Sequence, residues 1–151
     1  MIHHIFLRVT AHSTEDRSRV RKALDFFLLN SINRGADVST DDIVDVLDAD
    51  GHYGNPMTIF SAKISRKKEC LAFAKFVRSN ITSDDLELLR SEMPSRLDDD
   101  QVFHLRLDKQ AAYEGEVRLT SSSDAITAKV KIETYPKDWV KAGMIVEELF
   151  G

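Results

Sequence analysis

At 151 residues, 42% hydrophobic and 30% charged, the chain is long enough to bury a core without disulfides or a structural metal. Its formal net charge of −4 excludes polyanion binding by bulk charge, so a nucleic-acid role must rest on local clustering of Lys and Arg. The single cysteine, Cys70, excludes an intrachain disulfide and a cysteine-rich zinc site, and suits a reducing compartment.

The chain opens on a strand. Ile5, Leu7, Val9 and Ala11 alternate with His4, Phe6, Arg8, Thr10 and His12, the period of a strand with one buried face. Met1 to Arg8 lacks the regions of a signal peptide, and no apolar run approaches the roughly 20 residues of a membrane span. A cytoplasmic protein with no membrane partner is the expectation. Ser13 and Thr14 supply N-cap oxygens for a helix, and Glu15 and Asp16 sit where its dipole favours negative charge. Val20, Ala23, Leu24, Phe27 and Leu28 give that helix an apolar stripe to about Ile32, with Gly35 ending it.

Ile43 to Leu47 reads as a second strand and Met57 to Ile64 as a third, joined through the turn Gly51-His52-Tyr53-Gly54-Asn55-Pro56. Ser65 caps a second helix that starts Arg66-Lys67-Lys68-Glu69 and buries Cys70, Phe73, Ala74 and Val77. Thr82-Ser83-Asp84-Asp85 opens a third helix that buries Leu86, Leu89 and Met93, with Pro94 near its end. Phe103, Leu105 and Leu107 alternate with His104, Arg106 and Asp108 in the next strand, and Lys109 to Gly115 interrupts it. Glu116 to Thr120 and Ala125 to Thr134 then pair as a hairpin across Ser121 to Asp124, with Thr127, Lys129 and Lys131 outward. Pro136 falls in the first turn of a last helix that buries Ala142, Ile145, Val146 and Leu149. The order β-α-β-β-α-α-β-β-β-α predicts one α+β domain over residues 1–151: a two-layer α/β sandwich whose mainly antiparallel sheet has helices on one face.

A sheet covered on one side leaves the other open. Its outward residues, His4, Phe6, Arg8, His12, His104, Arg106, Lys129 and Lys131, mix bases with an aromatic, a surface able to neutralise phosphate and stack on unpaired bases. The plain alternative is the polar face of any antiparallel sheet. A second basic group, Arg66, Lys67 and Lys68, crowds a helix start, where the dipole disfavours cations and free N–H groups suit a phosphate. Lys109, beside Arg106, extends such a patch, and Tyr113 is a candidate stacking platform.

Catalytic signals are thin. Asp98, Asp100 and Asp108 are oxygen ligands for a divalent ion only if they converge, and a turn favours Asp for its own hydrogen bonds. No His-x-x-x-His or His-Glu-x-x-His spacing, P-loop or Gly-x-Ser-x-Gly elbow occurs, and Cys70 falls on an apolar stripe. Neither a catalytic residue nor a cofactor or metal is assigned.

His3-His4-Ile5, Ala11 to Asp16, Gly51 to Pro56, Arg96-Leu97-Asp98-Asp99-Asp100 and Asp108 to Glu116 together resemble an archaeal family of predicted RNA-binding proteins and exosome subunits. The resemblance runs nearly end to end and in order. It implies a fold similar to the ribosomal protein of the large subunit's central protuberance, an α/β sandwich with an antiparallel sheet. Its motif positions mark His12, His52, Tyr53, Arg96, Asp99, Lys109, Gln110 and Tyr113 for probing. Tyr53 stands where the family commonly has a second histidine, which weakens any metal role for that turn. Gly51, Gly54, Pro56 and Gly115 also fit a purely turn-building role.

The expectation is a non-catalytic RNA-binding protein assisting RNA processing or degradation, with RNA and exosome subunits as partners. The site residues are Arg8, His12, Arg66, Lys67, Lys68, Arg96, Arg106, Lys109 and Tyr113. The first rival is a protein–protein or homodimerisation module without RNA contact. A metal-dependent hydrolase using Asp98, Asp100 and Asp108 ranks third.

Overall fold

The computed structural model describes residues 1–32, 39–51 and 53–151; the expected helix end at Gly35 and the turn residue His52 lie outside the described residues. Strand β1 (Ile2–His12) keeps the alternation of its sequence: Ile5, Leu7, Val9 and Ala11 are at most 1% exposed, and Phe6, Arg8 and Thr10 face the other way. A register shift between Ile2 and His4 turns Ile2 inward as well. Four more strands, β2 (Val44–Asp50), β3 (Pro56–Ile64), β4 (Val102–Leu107) and β5 (Ile126–Ile132), complete a sheet of order β2-β3-β1-β5-β4. Every pairing in it is antiparallel. β1 is therefore the central strand, joined to β3 and β5 by pairings that no hairpin rule predicts.

One face of this sheet is covered by α1 (Arg17–Leu29), α2 (Lys67–Asn80), α3 (Ser83–Arg96) and α5 (Trp139–Phe150), whose apolar stripes join the inward strand residues in one core. Phe27, Phe73, Phe103 and Phe150 are at most 1% exposed. Burial of each such side chain stabilises by about 1.5–3 kcal/mol. Phe26, Phe27, Phe73 and Phe76 meet edge-on or tilted at the α1–α2 seam, with centroids 5.2–6.2 Å apart. The two-layer α/β architecture is the expected one.

Local boundaries differ for identifiable reasons. Asp16, not Ser13 or Thr14, caps α1, accepting from the Ser18 N–H at 2.9 Å; Glu15 instead turns back to the His12 N–H at 3.0 Å. α1 ends at Leu29 rather than Ile32. Ser65 does not cap α2: the cap position is Arg66, which makes no side-chain capping bond. Leu86, Ile145 and Leu149 are half-buried rather than buried. Residues Lys109–Tyr113 form a short helix, α4, capped by Asp108.

The expected hairpin of Glu116–Thr120 with Ala125–Thr134 does not form. Val117 bridges only to Ile81 and Leu119 only to Leu107, whereas β5 inserts between β1 and β4. Pro136 precedes α5, whose cap is Asp138. Gln101, buried with φ 61°, joins the start of β4 to the end of β5 and to the α5 cap; its amide donates to Ile132 O and accepts from the Asp138 N–H at 2.8 Å. Among the described residues, no helix is long and apolar enough to cross a membrane.

Candidate nucleic-acid interface

The register of the sheet stacks its outward residues into rows. Lys63 on β3 lies opposite Phe6, Phe6 opposite Lys129 on β5, and Lys129 opposite His104 on β4. The next row runs Asp45 on the edge strand β2, then Ser61, Arg8, Thr127, Arg106, and on the other side His4 sits opposite Lys131. On β3, β1, β5 and β4 no outward position is Asp or Glu. Arg8, Lys63, Lys129 and Arg106 have no carboxylate partner among the described residues. Lys131 leans to the edge, its Nζ donating to Asp100 O.

His4 registers the field of this face. Burial comes first, followed by Lys63, His3 and Lys131, and together they hold its imidazole below the ordinary value of 6.5. Carboxylates enter only from the margins. Asp98 meets His104 Nε2 at 2.9 Å and Asp124 meets His12 Nε2 at 3.2 Å. Burial acts to raise Asp98, but bonds from His104 and from the Val102 and Asp100 N–H groups outweigh it and hold it below the usual carboxylate range.

The sequence-derived site residues separate into two sets. Arg8 and Arg106 are exposed on the open face, and Arg66, Lys67 and Lys68 are exposed at the α2 start, three to five residues beyond Lys63 along the chain. Three residues of chain span at most about 11 Å, so Arg66 stands within that reach of Lys63, at the start of a helix that packs on the covered face. Arg96, Lys109 and Tyr113 stand elsewhere. Arg96 is clamped by Glu92 at 2.7 Å and donates to His104 O. Lys109, its side chain 11% exposed, donates to Thr10 O and Glu15 at 2.8 Å and to Asp124 at 3.1 Å. Tyr113 is half-buried under Arg19 and Lys22, 5.4 and 5.2 Å from its ring. His12 lies at the rim, on the far end of β1 from His4.

Lys63 was missed, although the alternation of Phe60, Ala62 and Ile64 already turns it outward. Its place beside Phe6 was hidden, because nothing local says that β3 pairs with β1.

Metal chemistry finds little support in these positions. Asp98 bonds its own turn, Asp100 is 86% exposed, and Asp108 caps α4, so the three do not converge. Among the described residues the only close ligand group is His12, Glu15 and Asp124, and the Lys109 ammonium already bonds both of its carboxylates. Cys70 is buried, donates to Ile64 O, and burial, then Glu69, pushes its thiol up to about 11, an inert setting. A cleft of about 510 Å3 at the ends of β1 and β2 is lined by Glu15, Asp48 and Asp50 against Arg17, a lining richer in acid than in base and ill suited to a polyanion.

A family model described as RNA binding matches residues 4–132. The chain is 28% identical over 134 residues to the RNA-binding protein PAB1135 of Pyrococcus abyssi, covering 89% of this chain and 84% of that protein. It is 32% identical over 141 residues to the uncharacterized protein MJ0213 of Methanocaldococcus jannaschii, covering 91% and 90%. The crystal structure of protein AF2318 from Archaeglobus fulgidus superposes with a TM-score of 0.81 at 33% identity, over 99% of both chains. With the match spanning the sheet from His4 on β1 to Ile132 on β5, the chain belongs to this RNA-binding family.

Proposed function

We propose that the protein is a non-catalytic RNA-binding factor that holds its ligand on the open face of the sheet. One observation carries the reading: across β3, β1, β5 and β4 the outward side chains include unpartnered Arg8, Lys63, Lys129 and Arg106 and no carboxylate. A polyanion binds through such cations by releasing its counterions, whatever the net charge of the whole molecule. The family description and the name of the Pyrococcus abyssi relative support the ligand class. Arg66, Lys67 and Lys68 extend the track, while Arg96 and Lys109 support the fold around it. The double variant Arg8→Glu, Lys129→Glu tests this by fluorescence anisotropy with single-stranded RNA. A loss of affinity of at least tenfold with unchanged thermal stability is expected; unchanged affinity removes the open face from the site.

The resemblance extends the proposal to a cytoplasmic accessory role in RNA processing or degradation, in contact with an exosome-like assembly and on a fold like the central-protuberance ribosomal protein. A second reading, homodimerisation, draws on α5. Val140 and Met144 are 67% and 66% exposed beside a groove of about 380 Å3 lined by Met93, Pro94 and Trp139. An antiparallel pairing of two copies centred on Met144 sets Lys141 of each beside Glu147 of the other.

A further inference from the structure

On the open face, the loop that leads into β5 rises beside β1 and closes one side of a groove of about 350 Å3. Its lining includes Phe6, Arg8, Thr10, Ser123, Thr127 and Lys129. We infer that this groove is a subsite for one unpaired nucleotide, its base stacked on Phe6 and its flanking phosphates held by Arg8 and Lys129. The inference rests on the RNA-binding reading and goes beyond it, because a cationic face alone accepts any polyanion, duplex or single-stranded.

Phe6 is the one aromatic among the outward residues of the described strands, and it is set between Lys63 and Lys129 in the cross-strand register. Two residues along β1 put Arg8 about 7 Å further on the same face. An aromatic ring in a sheet offers its π-surface to any base, and such stacking tolerates sequence. A base inside a duplex is stacked on its neighbours and cannot enter a groove of this size, so the ligand must present an unpaired base. The hydroxyls of Thr10, Ser123 and Thr127 line the same groove and are suited to a ribose or a base edge. The acid-rich cleft at the β1–β2 end has no such composition.

The test uses a single-stranded RNA oligonucleotide with one 2-aminopurine, the same oligonucleotide annealed to its complement, and the variants Phe6→Leu and Phe6→Tyr. Leu keeps an apolar side chain at this half-buried position and removes the ring; Tyr keeps the ring. The wild type should bind the single strand in preference to the duplex and change the 2-aminopurine fluorescence on binding. Phe6→Leu should weaken single-strand affinity about 5- to 100-fold and abolish the fluorescence change, and Phe6→Tyr should retain both. Equal binding of single strand and duplex, with Phe6→Leu indistinguishable from wild type, overturns the subsite while leaving RNA binding by the cationic face intact. Absence of binding to either RNA overturns the RNA-binding reading itself, and the subsite with it.

Discussion

Lys109 shows how a residue's chemistry depends on what surrounds it. In the sequence it extends a basic patch after Arg106; in the structure its ammonium is enclosed by Glu15, Asp124 and Thr10 O. Removing it leaves half-buried Glu15 facing the exposed Asp124 without a cation between them. Lys109→Met is expected to destabilise the fold by about 1–2 kcal/mol in chemical denaturation, since water screens the partly exposed carboxylates left behind, while leaving the salt dependence of RNA binding as it was. An RNA-specific loss with no change in stability would put Lys109 back among the contacts. His4 carries a pH prediction. Burial and its basic neighbours hold the folded imidazole below 6.5, so the unfolded chain protonates first as pH falls. This group therefore leaves stability untouched above about pH 6.5 and subtracts from it below. A bound phosphate favours the imidazolium, so RNA affinity should rise as pH falls toward and below about 6.5, and His4→Gln should flatten the rise. An identical pH profile in His4→Gln would separate His4 from the ligand.

At the scale of elements, the amphipathic stretches were legible and their ends and partners were not. Periodicity assigned the inward faces of β1, β4 and β5 because each alternates apolar and polar residues. Capping chemistry misled at Ser13, Thr14 and Ser65, since several candidate oxygens stood close together and the backbone chose Asp16 for α1 and Arg66 for α2. Residues 116–120 read as a strand because Val117 and Leu119 alternate, but their apolar side chains serve the packing of α3 and β4 without a ladder. α5 shows a different conflict. Lys141 lies in its first turn and Glu147 and Glu148 in its last, each opposed to the helix dipole. In an antiparallel pair of α5 helices the same charges become complementary. Met144→Glu should convert a dimer to a monomer in sedimentation analysis, and change stability by no more than about 0.5 kcal/mol because the side chain is exposed. A wild-type monomer at high concentration removes this reading.

Across the whole molecule the separation of charge matters more than its sum. Asp41, Asp42, Asp45, Asp48 and Asp50 concentrate acid at the β2 edge, while the centre of the sheet's open face is free of it. A net charge of −4 is thus compatible with a local cationic track. The sequence held half of this picture: Arg8, Arg106, Lys129 and Lys131 could be turned outward by alternation alone. The rows that join them depend on β1 lying between β3 and β5, and that order comes from long-range pairing that local patterns do not encode. The salt dependence of single-stranded RNA affinity tests this separation most directly, measured for the wild type and for the triple variant Arg8→Ala, Lys63→Ala, Lys129→Ala. A slope of log affinity against log salt of about −3 is expected, from four to five neutralised phosphates, reduced in magnitude by roughly 2 in the variant. A wild-type slope near zero, or the same slope in both proteins, contradicts it.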